Sequence, residues 1–216
     1  MADQAKNATG AAQNKLATLA DVYYSLGKTD LALSTAERAH IDTQNTGVLY
    51  RIALLYIRAG RIAKAEQIAS TLSKKLEKEP QVHGKLIEAE ILLNANRSPQ
   101  AIQKVEEAQR LIDTWLGRFA LGRAYLQAGE FTHASIQLDK CWERRGEATA
   151  VFLDDLPSYH RIVPLYYYLG RAQEGLNSPR AAEQYRSFLA TNKNDKDPLI
   201  RDARQRVAML EKASVR

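Results

Sequence analysis

Few residues of this chain have the type and spacing that chemistry requires. Cys141 is the sole thiol. It excludes an internal disulfide framework and a cysteine-built zinc site. It falls where small residues recur along the chain, so it reads as a small buried hydrophobe at a helix contact rather than as a nucleophile. The chain has no Gly-x-Ser-x-Gly elbow, no Walker loop and no Gly-x-Gly-x-x-Gly run. The histidines are His40, His83, His133 and His160, and none has a second histidine three or four residues on. A helical metal pair is therefore missing. His160 lies near Asp154 and Asp155, the one local cluster that could hold a divalent ion, but helix capping accounts for those aspartates equally well. The pairs Glu88/Glu90 and Glu106/Glu107 sit beside Lys85, Lys104 and Arg110 and read as solvated helix faces laced by local ion pairs. These residues predict no enzyme, no cofactor and no metal.

Composition narrows the remaining classes. The chain has 216 residues, 45% of them apolar and 26% charged, the balance of an ordinary folded domain or a short repeat array. Its net charge of +6 is mild, and only the C-terminal quarter leans basic. The basic run Arg201–Arg206 could meet phosphates, yet no interleaved aromatics mark a single-strand binder, so a nucleic-acid partner is disfavoured. No run approaches the 18 or so apolar residues of a membrane span. The opening MADQAKNATGAAQNK has no apolar signal core, so the chain is expected in the cytoplasm with no membrane partner.

The elements that position these residues are repeats. Small residues recur at Ala20, Ala53, Ala89, Gly122 and Gly170, and again twelve positions later at Ala32, Ala65, Ala101, Ala134 and Ala182. Between them, seven residues after each first-column residue, stand Gly27, Gly60, Asn96, Gly129 and Asn177. Gly and Asn enter the left-handed region most cheaply, so this third column marks the end of one helix and the turn into the next. The small columns let two antiparallel helices approach closely. Such hairpins cannot bury their apolar stripes alone and must stack. No sustained period-two apolar run or Asn-Gly hairpin signal competes.

These columns resemble the tetratricopeptide repeat, with its period near 34 and its Leu-Gly, Tyr and Ala positions. The best match is Leu121-Gly122, Tyr125, Gly129 and Ala134. Leu19-Ala20, Ile52-Ala53 and Leu169-Gly170 carry it in other repeats, while Glu88 breaks it in the third and the pattern's Trp is absent throughout. The resemblance implies an all-α fold, a right-handed α-solenoid of about five helical hairpins with a C-terminal capping helix. The hairpins are placed at about 13–46, 47–80, 81–113, 114–146 and 163–196, after a polar segment 1–12 and around an insert at about 147–162. The insert is expected as a helix extension and a loop packed back through Phe152 and Leu153. The cap spans 197–216, started by Asp197-Pro198 and facing inward through Ile200, Ala203, Val207 and Leu210. The stretch from the insert through Leu176 more loosely resembles repeat regions of bacterial multidomain regulators, eukaryotic-type Ser/Thr kinases among them, although no kinase motif is present.

The resemblance further implies a concave groove lined by the first helix of each hairpin. Carried onto this chain, the lining includes Asp21 and Tyr24; Tyr50, Leu54, Ile57 and Arg58; His83, Glu90 and Asn94; Phe119, Arg123 and Gln127; and Tyr167, Arg171 and Glu174. Aromatic and arginine side chains anchor peptides well, with inter-repeat packing the rival role for Tyr50 and Tyr167. Ala17 and Asp21 stand where the clamp of chaperone-tail binders would begin, so that clamp is missing. The expected function is a scaffold for a protein or peptide partner. Alternatives are a sensor or docking module of a larger bacterial signalling protein, or a nucleic-acid-binding repeat. Three consecutive aromatics, Tyr166-Tyr167-Tyr168, cannot all face one core, so at least one is expected to meet the groove, the insert or a second copy, leaving a homo-oligomer open.

Overall fold

The computed structural model describes residues 2–41, 43–148, 161–192 and 197–214, with side chains for 10–41, 43–147, 161–192 and 197–212. The fold is an all-α helical-repeat array, and no strand occurs among the described residues. Eleven α-helices are described: α1 (Ala2–Ser25), α2 (Thr29–His40), α3 (Thr46–Arg58), α4 (Ile62–Ser73), α5 (Lys78–Asn94), α6 (Ser98–Leu111), α7 (Trp115–Ala128), α8 (Phe131–Glu143), α9 (Ile162–Gly175), α10 (Ala181–Thr191) and α11 (Pro198–Ser214). A short 3-10 turn, Arg145–Ala148, follows α8. The expected loop around Phe152 and Leu153, and the Asp154/Asp155/His160 cluster, lie outside the described residues.

The Gly/Asn column does what its residue types dictate. Gly27, Gly60, Asn96, Gly129 and Asn177 all take positive φ, between 54° and 77°. Each closes its helix with the same pair of backbone bonds. At the first, Gly27 N–H donates to Tyr24 O and Lys28 N–H to Tyr23 O, both at 2.9 Å. The pairing satisfies carbonyls that the helix end would leave orphaned.

The chain divides into two compact units, Met1–Arg97 with Arg110–Ile112, and Ser98–Gln109 with Asp113–Arg216. In the first unit, α3 is apolar on almost every face. Val48, Leu49, Tyr50, Ile52, Ala53, Leu55, Tyr56 and Ile57 are all buried. A helix apolar all round must be enclosed, and α1, α2, α4 and α5 pack around this one. Asn45 starts it, its Oδ1 accepting from Val48 N–H at 3.0 Å.

In the second unit the small column sets helix approach. A Cβ on Gly122 would lie 2.7 Å from Leu138, and one on Gly170 2.7 Å from the Tyr185 ring. One register differs from the sequence reading. Ala182 is only half-buried, and the buried stripe of α10 runs through Ala181, Tyr185 and Phe188. The Asn177–Arg180 turn is longer than the others, α10 beginning four residues after Asn177 where α8 begins two after Gly129, and the buried register shifts by one, so Tyr185 fills against Gly170 the place that Leu138 fills against Gly122. Beyond it, α11 begins with Asp197 Oδ1 accepting from Leu199 N–H at 2.9 Å. Ile200 and Ala203 are buried against Tyr167, Tyr185 and Phe188, and Val207 and Leu210 pack at the edge of that cluster.

Candidate partner-binding faces

The first-helix residues of the first unit assemble around one carboxylate. Asp21 on α1 accepts from Arg51 Nη2 at 3.1 Å and from Arg58 Nη2, both on α3. Tyr24 donates its hydroxyl to Arg58 O at 2.6 Å, and the Arg58 guanidinium lies 5.0 Å from the Tyr24 ring centre. Asp21, Tyr24 and Arg58 are therefore brought together, as a lock between neighbouring helices that leaves Arg58 half exposed at 47%. Arg51, which lies between Tyr50 and Leu54 and is not part of the expected lining, completes this cluster. Glu90 is half-buried and Asn94 exposed near the end of α5.

Three expected anchors are not at the surface. Tyr50 is 1% exposed, Phe119 2% and Tyr167 4%. Tyr50 packs edge-on to His83 at 5.2 Å, between α3 and α5. An aromatic ring buried on all sides contributes packing, not contact with a partner. For these three the groove reading is corrected to core.

Phe119 instead supports two cations. It stacks on Trp115 at 5.4 Å and meets Tyr168 edge-on at 5.5 Å. The Arg123 guanidinium lies 6.0 Å from the Phe119 ring centre and 5.6 Å from that of Tyr168. The Arg161 guanidinium, just before α9, lies 5.6 Å from the same Phe119 ring. Gln127 is exposed one turn beyond Arg123. Arg161 is not among the residues singled out from sequence, and Tyr168 is there only as a member of the tyrosine triplet. The tyrosine triplet was the available signal, and it resolves into three directions. Tyr166 packs on Trp142 at 5.1 Å, Tyr167 faces the α10/α11 core and Tyr168 lies beneath Arg123.

Arg171 is drawn into a polar chain that fastens α11. It donates to the Tyr167 hydroxyl at 3.3 Å, and Tyr167 donates to Asp202 at 2.6 Å. Arg206 bridges Asp202 at 2.6 Å and Glu174 at 2.8 Å, and Tyr185 donates to Glu174 at 2.6 Å. Burial pushes the Asp202 carboxyl up, but the Arg206 guanidinium and the Tyr167 hydroxyl outweigh it and hold it below the ordinary range. Burial, then the neighbouring carboxylates, raise Tyr167 and Tyr185. A cleft of about 870 Å³ opens beside this chain, lined by Arg171, Glu174, Arg186, Arg206 and Glu211 together with Phe131 and Leu210. Its cations are largely matched by its own carboxylates, Arg186 pairing with Glu211 at 2.6 Å.

Among the described residues no group of three His, Cys, Asp or Glu could hold a metal ion, and no helix is long and apolar enough to cross a membrane. Cys141 is buried, its thiol 3.7 Å from Trp115 O, and burial pushes that thiol up to about 12. The described surface offers paired charge, as at Arg58 and Asp21, and stacked guanidinium, as at Arg123 and Arg161.

Comparison with known proteins agrees with this architecture. Residues 23–87 match the family model described as tetratricopeptide repeat, from the last turn of α1 into α5. No curated protein and no solved structure matches the chain. Tetratricopeptide repeats generally mediate contacts between proteins, and they are typically non-enzymatic. The family match covers residues 23–87, and the left-handed turn column that it shares continues beyond it, at Asn96, Gly129 and Asn177.

Proposed function

We propose that this chain is a non-enzymatic scaffold that binds an acidic segment of a protein partner on the α7/α9 face, at Arg123 and Arg161. One observation carries the reading: two guanidiniums lie within 6.0 Å of a single buried ring, Phe119, with Tyr168 alongside. Stacking on aromatic faces holds a guanidinium in place, at about 0.5–2 kcal/mol each, while its N–H edges stay suited to a carboxylate. An arginine held in this way loses less side-chain entropy when it pairs, so bidentate contact with Asp or Glu is favoured. Gln127 adds an exposed donor and acceptor one turn on. Arg58 and Asn94 offer a lesser polar face in the first unit, where Arg58 already serves Asp21.

The test is capture of partners from the source cell's lysate by the purified chain and by an Arg123→Ala/Arg161→Ala variant of unchanged helicity. A client that is retained by the parent, lost by the variant and released by added salt supports the reading. Clients held equally by both proteins defeat it.

A further inference from the structure

We propose that the outer face of α11 docks an acidic amphipathic helix of a partner protein. This inference does not rest on the proposed function and concerns a different face.

The inner face of α11 serves the fold. Ile200 and Ala203 are buried against Tyr167, Tyr185 and Phe188, and Val207 and Leu210 pack at the edge of that cluster. On the side away from them stand Arg201, Gln205, Ala208 and Lys212. Their spacing of i, i+4, i+7 and i+11 puts them on one stripe of the helix. Arg204 and Met209 flank that stripe. All six are exposed, Met209 at 65%. The stripe rises on the order of 16 Å from Arg201 to Lys212.

Charge along this face has one sign. The carboxylates of α11 are engaged with other groups. Asp202 accepts from Tyr167 and Arg206, and Glu211 accepts from Arg186 on α10. Arg201 and Lys212 have no ion pair among the described residues. Between these two cations stands Ala208, whose small side chain lets another helix come close, with the Met209 side chain beside it.

That order selects the occupant. A helix lying along α11 meets the stripe with its own i, i+4, i+7 and i+11 positions. Carboxylates at the two ends and apolar side chains between them complement the stripe in charge and in shape. Nucleic acid fits less well. A phosphate track is served by closely spaced cations, and the exposed positions between Arg204 and Lys212 hold none. A membrane surface fits no better. A helix lying in that interface inserts a broad apolar face, and the apolar face of α11 is already packed on α9 and α10. Ion pairs on a wet face add little each, so the contact is weak and salt-sensitive, and its apolar middle decides which acidic helix is held.

Fluorescence anisotropy on the full chain tests the proposal. The probe is a fluorescein-labelled synthetic helix with two glutamates eleven positions apart and two leucines between them on the same face. The parent is expected to bind it about tenfold or more tighter than an Arg201→Glu/Lys212→Glu variant of unchanged helicity and melting. That variant is expected to prefer a second peptide with lysines in place of the glutamates, an exchange that a damaged fold would not produce. A third peptide, with serines in place of the leucines, is expected to bind the parent about tenfold more weakly than the first. No binding by the parent overturns the proposal. Equal binding of the leucine and serine peptides overturns it too, since the face would then be a charged patch only. So does a loss of binding in the Arg123→Ala/Arg161→Ala variant that the α11 variant does not share. Tighter binding of mixed-sequence duplex DNA or of phosphatidylserine vesicles, at the same ionic strength, overturns the choice of a helix as partner.

Discussion

Tyr167 donates its hydroxyl hydrogen to Asp202 at 2.6 Å, across thirty-five residues of sequence, and so ties α9 to α11. The bond sits within a continuous chain from Arg171 through Arg206 and Glu174 to Tyr185. Below it lie Ile200 and Ala203 against Phe188 and Tyr185. The last helix is thus held by an apolar stripe and by a charge-assisted network at its edge. Tyr167→Phe keeps the ring and its packing but removes the donor. It is expected to cost about 1–2 kcal/mol, as for a lost hydrogen bond to a partly solvated carboxylate. The loss should appear as a lower urea midpoint with unchanged slope, and as faster amide exchange within α11 before the rest of the second unit.

The same network sets a pH dependence at both ends of the scale. Asp202 and Asp113 are held below the ordinary carboxylate value, Asp113 because Arg118 and Arg144 outweigh its burial. A folded value below the unfolded one gives stability that is full above about pH 4 and is lost as pH falls through the folded value. Tyr185, Tyr167, Tyr125 and Tyr56 are raised by burial first, Tyr56 to about 12. Their contribution is full below about pH 10 and is lost as pH rises beyond it. Urea midpoints should therefore fall on both sides of a broad plateau. Asp202→Asn should flatten the acid limb and, because the Asp202 carboxylate also helps raise Tyr167, soften the alkaline limb as well.

The fold was legible because its cause is local. Left-handed turn residues at Gly27, Gly60, Asn96, Gly129 and Asn177, with small residues on either side, are enough to specify where helices end and how closely they pair. Ala182 was misplaced by one residue because a turn with Ser178 and Pro179 differs in length from one closed by Gly, and spacing alone does not report that. The site was less legible, since burial depends on the neighbouring helix. Tyr50, Phe119 and Tyr167 have the residue type of anchors, yet His83, Trp115 and Phe188 cover them. Arg161 and Asp202 act through partners about 35 to 42 positions away in sequence, a separation that no local pattern encodes.

Cys141 offers a probe of the second unit's integrity. Its thiol is buried beside Trp115, whose Nε1–H donates to Cys141 O at 2.8 Å. Burial first, against opposing help from Arg118 and Arg144, raises the thiol to about 12. Since the thiolate is the reactive form, the native thiol should resist an aromatic disulfide reagent at neutral pH and react fully in denaturant. Prompt native labelling would show that α7 and α8 open readily.

The small columns predict a contrast between two glycine substitutions of the same chemistry. At Gly170 a Cβ would stand 2.7 Å from the Tyr185 ring, which is itself fully buried and bonded to Glu174. The ring cannot retreat without breaking that bond, so Gly170→Ala should cost about 1–3 kcal/mol through overpacking. At Gly60 a Cβ meets nothing within 4 Å, but the backbone sits at φ +72°. Gly60→Ala should therefore cost about 1 kcal/mol, from conformation alone. An Asn at each position separates the two causes. Gly60→Asn should recover most of the loss, because Asn tolerates the left-handed region, as Asn96 and Asn177 do in their own turns. Gly170→Asn should be worse than Gly170→Ala, because the larger side chain deepens the clash with Tyr185. Urea unfolding of the four variants checks the ordering. Equal losses at Gly60 and Gly170, or no recovery at Gly60→Asn, would remove the distinction between turn and contact columns on which the hairpin architecture is built.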